Sequence, residues 1–298
     1  MSIQTVTTGQ LEDAQRIAIE QTRYTMEHNA PMLGLIERMR LGKGEKSITV
    51  PKVGQMTAAN LSDGVDLASS EDIGMTSTSL TTGEVGLKVI LTDKLVRQEN
   101  EDAFRIVGRQ MGDAVARKKD RDALALFAAL NSGTDLGLAA RDMEIGNVNV
   151  LIGFAKANKF PKPVSIVHHP WATFRASQSL FGLAGSAGAG GALGAGAVGL
   201  TSTLGESFLK DFFEFSVSGV PVYQDGNIDT DSDGDGVGAV FSREAMVYVE
   251  SVGFNTERER DASLRATELV VTCDYGVFEL DDTYGAPATF NTTAEATS

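Results

Sequence analysis

The feature that most constrains this chain is a long polar stretch placed directly before a long helical pattern. Residues 44–91 are rich in Thr, Ser and Gly and carry few large apolar side chains. Residues 100–130 contain no proline and have the apolar spacing of one helix. A compact domain rarely holds so large an excursion, because it supplies few core contacts. We therefore expect the excursion to lie against a neighbouring copy of the chain in an assembly.

Strand patterns border this excursion on both sides. Residues 46–51 and 84–92 alternate as strands do, whereas 53–72 carry turn signals and 74–82 are nearly all Thr, Ser and Met. The two outer strands are predicted to pair into a long hairpin with a polar middle. Its exposed edges would be a hazard on a free monomer. We expect a neighbour to pair with them or cover them.

The helix over residues 100–130 is predicted to bury one apolar stripe, which includes Leu124 and Phe127. The charged run at residues 117–122 is predicted to face outward, as a salt-bridged face or as a contact to nucleic acid. Residues 131–133, Asn-Ser-Gly, are expected to end the helix.

From residue 144 the pattern becomes an alternation of helices and strands. An amphipathic N-terminal helix is predicted at residues 10–28, and the polar tail after residue 288 is expected to be only partly ordered. Further helices are predicted at 147–158, 170–180 and about 204–212, and strands at 163–168, 214–217, 220–223, 238–242, 246–250, 254–260 and 266–280.

Composition excludes several classes of protein. The formal net charge of −14 and the pI of about 4.7 oppose a sequence-reading nucleic-acid binder, which needs a basic footprint. A single cysteine, Cys273, permits no intrachain disulfide, which fits assembly in a cytosol. The N-terminus lacks the pattern of a secretory signal. Residues 181–200 are uncharged but rich in Gly, so we expect a Gly/Ala loop and no membrane contact.

One motif suggests a metal. Residues 229–235 match the first half of a calcium loop, with candidate ligands Asp229, Asp231, Asp233 and Asp235. The Glu expected at the twelfth position is Val240, so a solvated turn is the favoured alternative.

No set of residues predicts catalysis. The G-x-G-x-x-G match at residues 194–199 lacks the strand that should precede a dinucleotide site. His168 and His169 are adjacent at a strand end, so they point to opposite faces and cannot share a metal. Cys273 falls in a strand predicted to be buried, which indicates an inert thiol. We expect no catalytic residue, cofactor or enzymatic activity.

The order of elements resembles the major capsid proteins of tailed bacteriophages, which have the Hong Kong 97-type fold. Local patterns agree, including the strand that ends at residues 165–170, Gly219-Val220-Pro221-Val222, and residues 239–250 followed by 265–280. The resemblance implies an α+β fold with an N-terminal arm at 1–43 and an extended β-hairpin loop at 44–91. It further implies a peripheral domain at 92–143 and 243–298 and an α/β axial domain at 144–242, with the C-terminal end free to return to the axial domain.

The resemblance also implies function and partners. The chain would assemble as pentamers and hexamers into the icosahedral head shell of a tailed phage, in the host bacterial cytoplasm, and reside in the virion. The shell would enclose double-stranded DNA without reading its sequence. Because few residues precede the loop, scaffolding is expected from a separate protein, alongside a portal and a cement protein. The alternatives are an encapsulin-like cellular nanocompartment and a soluble α/β enzyme.

Overall fold

The computed structural model describes residues 32–42, 44–53, 60, 74–94, 102–185 and 215–294. Within them the helices are α1 (Met32–Leu35), α2 (Asp102–Leu124), α3 (Ile145–Ala157) and α4 (Pro170–Gly185). The strands are β1 (Glu37–Arg40), β2 (Ser47–Val53), β3 (Met75–Thr81), β4 (Gly83–Thr92), β5 (Val164–His168), β6 (Phe215–Val217), β7 (Val220–Gln224), β8 (Asp235–Ser242), β9 (Met246–Asp261), β10 (Ala266–Glu279) and β11 (Gly285–Asn291). Short 3-10 turns cover Phe127–Gly133, Arg243–Ala245 and Asp282–Tyr284.

A four-stranded sheet with the order β1-β9-β10-β4 supports the long helix α2. The antiparallel β9 and β10 form its centre, and β9 runs unbroken over 16 residues where the sequence predicts two strands. The stripe of α2 packs on the inward side of β10, where Leu269, Val271 and Cys273 are buried. Alternating burial along β10 therefore fixes which face of the sheet receives the helix.

A five-stranded sheet with the order β11-β8-β5-β7-β6 forms the second layer. The central strand β5 is flanked by β7, which is parallel to it, and β8, which is antiparallel. Helices α3 and α4 contribute to the second core, which includes Val148, Leu151 and Ala176. The predicted helix–strand alternation after residue 144 is confirmed for these elements.

In the hairpin, β2 pairs with a different strand from the predicted one. Strand β2 pairs with β3, from Ser47 opposite Thr81 to Val53 opposite Met75, and not with residues 84–92. Strand β4 instead pairs along its whole length with β10. The Thr- and Ser-rich residues 74–82 are therefore mostly strand, because backbone pairing needs no apolar side chains. The strand predicted to close the hairpin, residues 84–92, therefore belongs to the four-stranded sheet, and β3 closes the hairpin instead.

The C-terminal strand holds the first part of the polar tail in the fold. Strand β11 lies along β8 at the edge of the five-stranded sheet and buries Ala286, Ala288 and Phe290. The buried Arg175 of α4 donates hydrogen bonds to the carbonyl oxygens of Asn291 (3.2 Å) and Thr293 (2.7 Å). Residues 295–298 lie outside the described residues, so the expectation of a partly ordered tail stays a prediction.

The long helix ends earlier than the sequence predicts. Helix α2 ends at Leu124, and a 3-10 turn continues the buried path to Leu130. Asn131 and Ser132 then adopt positive φ angles of 54° and 52°. Asp282 accepts hydrogen bonds from the Ser132 backbone N–H and hydroxyl. The Asn-Ser-Gly segment is therefore a turn that a distant carboxylate stabilises, but the prediction that it ends the helix itself is wrong.

Three predictions fall wholly or largely outside the described residues: the helix at 10–28, the Gly/Ala loop, of which only 181–185 are described as the end of α4, and the helix at about 204–212. No helix in the described part of the chain is long and apolar enough to cross a membrane.

Candidate assembly surface and buried charged sites

The β2–β3 hairpin offers a two-stranded surface with little covering of its own. Every residue of β3 except Leu80 is exposed, and Met75 is 66% exposed. Leu80 is fully buried against Leu41, Val247 and Val249. The hairpin is thus anchored near Leu80 by one apolar cluster, on which Ile48 and Val50 of β2 also pack, while most of β3 is exposed. Such unpaired edges suit contact with another chain.

An ion pair adds to this anchor on the other strand of the hairpin. The Lys52 ammonium lies 2.7 Å from the Asp281 carboxylate, next to the 3-10 turn before β11. Both groups are partly solvated, so the pair contributes about 1 kcal/mol or less. Its main effect is to orient the hairpin relative to the two sheets.

The charged run at residues 117–122 does not all face outward. Lys118 pairs with Asp122 one turn later, and Arg121 pairs with Asp229, as a salt-bridged face would. Lys119 and Asp120, however, are 1% and 0% exposed. The prediction of an outward charged face is therefore wrong for these two residues.

Lys119 lies over two stacked tyrosines of the four-stranded sheet. Its ammonium is 5.5 Å from the ring centre of Tyr248 and 5.2 Å from that of Tyr275, a cation–π geometry. A carboxylate oxygen of Glu250 lies 3.8 Å away. Burial lowers the pKa of Lys119, although Glu250 opposes that shift. The site holds α2 on the sheet through one charge and two rings.

Asp120 faces the opposite way, toward the five-stranded sheet. Its carboxylate accepts a hydrogen bond from the Met32 backbone N–H (3.2 Å) and one from the Asn227 side-chain amide (2.8 Å). This one side chain of α2 therefore contacts both α1 and the loop after β7. Sequence reasoning missed this residue, although a signal was present. Asp120 is four residues after the buried Ala116 and four before the buried Leu124, on the same face of the helix.

The two adjacent histidines have structural contacts. His168 is fully buried; its Nε2 contacts the Ala288 carbonyl oxygen at 3.1 Å, and its Nδ1 accepts the His169 backbone N–H. Because Nδ1 is an acceptor, Nε2 carries the proton and donates to Ala288. Burial lowers the pKa of His168 to about 4, so the ring is neutral at pH 7. It links β5 to the C-terminal strand and has no free nitrogen for a metal.

The carboxylates of the acidic turn, residues 229–235, have different partners and do not converge on one point. Asp231 accepts the backbone N–H groups of Asp233 and Asp235, whereas the buried Asp235 accepts the Ala140 N–H at 2.9 Å. Asp229 is engaged by Arg121. In the part of the chain that the structure describes, no three His, Cys, Asp or Glu side chains are grouped to hold a metal ion. The calcium site stays a prediction, and these contacts favour its alternative, a structural turn.

Cys273 lies where the sequence places it. The thiol is buried beneath α2 and contacts the Val85 carbonyl oxygen at 3.5 Å. Burial raises its pKa, which keeps the thiol protonated and unreactive.

Solved structures with a similar fold include capsids of phages and of a GTA particle. The acid-stable capsid of Helicobacter pylori bacteriophage KHP30 is similar with a TM-score of 0.69 and 11% identity, over 89% of this chain and 92% of that one. The capsid of a native GTA particle has a TM-score of 0.63 and 10% identity, over 88% of this chain and 90% of that one. The structure of Microbacterium phage Oxtober96 has a TM-score of 0.62 and 14% identity, over 88% of this chain and 91% of that one. At these identities the similarity establishes an α+β capsid fold.

The sequence itself carries the family assignment. The family model described as "Phage capsid protein" matches residues 76–287, well over half of the chain. A search of curated proteins gives no match. The chain belongs to this phage capsid family and is a major capsid protein, the subunit that forms the shell of the tailed-phage head. The match decides in favour of a phage head over the nanocompartment and the soluble enzyme.

Proposed function

We propose that this capsid protein has the arm, extended loop, peripheral domain and axial domain of the Hong Kong 97-type fold. Residues 1–43 would be an arm and lead-in, and 44–91 the extended loop, of which β4 also belongs to the four-stranded sheet. The peripheral domain would comprise 92–143 and 243–298, with α2 as its spine helix, and the axial domain 144–242. The pairing of β11 with β8 supports a C-terminal end that returns to the axial domain.

The observation that carries this proposal is the exposed hairpin. Strands β2 and β3 satisfy each other's backbone groups, yet they lack a covering layer apart from the cluster around Leu80. A two-stranded ribbon is marginal by itself in water. A neighbouring subunit in a shell would supply the missing cover. Repeated in a ring, such a contact between different surfaces closes into pentamers and hexamers.

The wider assembly follows from this role. The subunit would act by assembly and not by catalysis, with a separate scaffolding protein, a portal and a cement protein as partners. Shells would form in the host bacterial cytoplasm and enclose double-stranded DNA. The net charge of −14 supports an enclosing wall that repels the genome more than it binds it.

A DNA-binding assay tests whether the subunit encloses DNA without binding it tightly. We expect the free subunit to bind duplexes more weakly than about 10⁻⁶ M at physiological salt and without sequence preference, since even basic proteins bind non-specifically only in the range of about 10⁻⁴–10⁻⁶ M. The measurement is a salt titration with duplexes of different sequence.

Two variants that lose the same charge complete the experiment. The first replaces Arg117, Lys118 and Arg121 by Gln, and the second replaces Lys156, Lys159 and Lys162, which are exposed elsewhere. Packaging should stay nearly intact in both. Sequence-dependent, submicromolar binding that only the first variant abolishes would instead show that α2 recognises DNA.

A further inference from the structure

The buried Asp120 has a second acidic residue opposite it. Asp225 follows β7 and is 3% exposed, and Asn227 connects it to Asp120, because the Asn227 side-chain amide donates to the Asp120 carboxylate at 2.8 Å. One oxygen of Asp225, Oδ1, accepts the Asn227 backbone N–H at 2.9 Å. The other, Oδ2, is buried and has no hydrogen-bond partner in the described structure.

Two facing carboxylates cannot satisfy each other, because neither has a proton to donate. A buried acceptor without a donor is destabilising, and two buried like charges are more so. The two cations next to Asp120 in sequence are engaged elsewhere, Lys119 by Glu250 and Arg121 by Asp229. A single proton would supply the missing donor to Oδ2 and remove one of the two charges.

We propose that Asp120 and Asp225 share one proton, and that this proton fastens the spine helix to the lead-in and to the loop after β7. Water supplies the proton as the pair forms. The Asp120 hydroxyl donates to Asp225 Oδ2, while the Asp120 oxygens keep accepting from Met32 and Asn227. One proton then joins three segments that are far apart in sequence.

The surroundings of the pair agree with a retained proton. Burial, with Asp225 as the next cause, raises the pKa of Asp120 to about 8 against the opposing hydrogen bonds from Asn227 and Met32. His169 is a further titratable group near Asp225, and burial lowers its pKa. Its ring therefore adds no full positive charge near neutral pH that could replace the proton.

The sign of the pH dependence follows from Asp120. In the unfolded chain its pKa is 3.8, so between about pH 4 and pH 8 the folded state holds a proton that the unfolded state has lost. Stability from this group is therefore largest at low pH and declines as the pH rises through that window. Above about pH 8 the folded pair loses its proton as well, and its two charges repel.

The decisive variant is Asp225→Asn. The amide oxygen can replace Oδ1 as acceptor for Asn227, and the amide nitrogen can replace Oδ2 as a permanent donor to Asp120. The contact then needs no proton, and Asp120 becomes an ordinary ionised acid. The matched control is Asp233→Asn, which removes the same charge from an exposed position in the turn.

Thermal unfolding of the full-length chain from pH 5 to pH 9 tests the proposal. We expect the Tm of the wild type to fall relative to Asp225→Asn by about 2–4 °C or more across this range, while Asp233→Asn follows the wild type. A pH-independent difference between wild type and Asp225→Asn would overturn the shared proton.

Infrared difference spectra give a second readout that does not depend on stability. The carbonyl band of a protonated carboxylic acid should be present in the wild type at neutral pH, vanish above pH 8, and be missing in Asp225→Asn at neutral pH. Its absence from the wild type at neutral pH would contradict the proposal even if the variant failed to fold.

Discussion

At the scale of single residues, one aromatic pair joins the two layers of the subunit. Phe127 follows the end of α2, and its ring centre lies 5.5 Å from that of Phe241 in β8. Both rings are fully buried in a cluster that also contains residues of the four-stranded sheet. The core therefore continues from one sheet to the other through this contact.

Truncating Phe127 should be costly because the site is enclosed on all sides. For Phe127→Ala we expect a loss of about 3–5 kcal/mol in the free energy of unfolding, the usual result of a large cavity in a packed core. Denaturant unfolding of the soluble subunit measures it. Phe174→Ala, at a position 43% exposed, is the control and should cost less than about 1 kcal/mol. A loss below 0.5 kcal/mol in Phe127→Ala would place the helix end at the surface.

The residues around Lys119 show what a sequence can and cannot reveal. Phe127 and Leu124 are buried as predicted, because apolar spacing reports burial directly. The buried Lys119 and Asp120 follow the same spacing, but their charge argued for the surface. Their partners, Tyr248, Glu250 and Asn227, are more than 100 residues away in the chain, so no local pattern announces them.

At the scale of elements, the β2–β3 hairpin is held to the subunit at two places and is otherwise largely exposed. Its strands keep a regular antiparallel register up to the pair Val53 and Met75. Leu80 holds the hairpin near Ser47 and Thr81 through an apolar cluster, and Lys52 holds it near Val53 through an ion pair. These described contacts come from the two strands themselves.

A shortened hairpin should fold but fail to assemble. Residues 54–74 can be replaced by Asn-Gly, because a two-residue turn closes an antiparallel pair such as Val53 and Met75. We expect cooperative unfolding within about 1 kcal/mol of the wild type, since Leu80 and its cluster stay in place. Particle formation, followed by light scattering, should be lost.

The control keeps the length of the segment and changes its composition: a Gly/Ser sequence of equal length between Val53 and Met75. If this control also fails to assemble, the side chains of the segment make the contact; if it assembles, length alone suffices. Loss of cooperative unfolding in the shortened chain would show that the segment belongs to the subunit core.

Element types were easier to predict than element partners. The long helix and the strands β5, β7, β8 and β10 follow local periodicity, which the sequence carries. The pairing of β4 with β10 and of β11 with β8 joins segments far apart in the chain. Such pairing depends on which backbone groups need partners, and composition does not encode that.

At the scale of the whole molecule, the subunit has two cores and an exposed hairpin, and we expect neighbouring copies to cover the hairpin. Helix α2 contacts both layers, with Lys119 toward one sheet and Asp120 toward the other. The family match and the capsid structures identify the product of assembly as the phage head shell. The acidic charge then keeps subunits soluble before assembly.

Electron microscopy of the purified full-length protein under assembly conditions tests the central claim most directly. The account predicts hollow, closed particles, or rings of five and six subunits, with the β2–β3 hairpin of each subunit lying on its neighbour. A strictly monomeric, compact species under every assembly condition would contradict it, and so would shells in which the hairpin contacts only its own subunit.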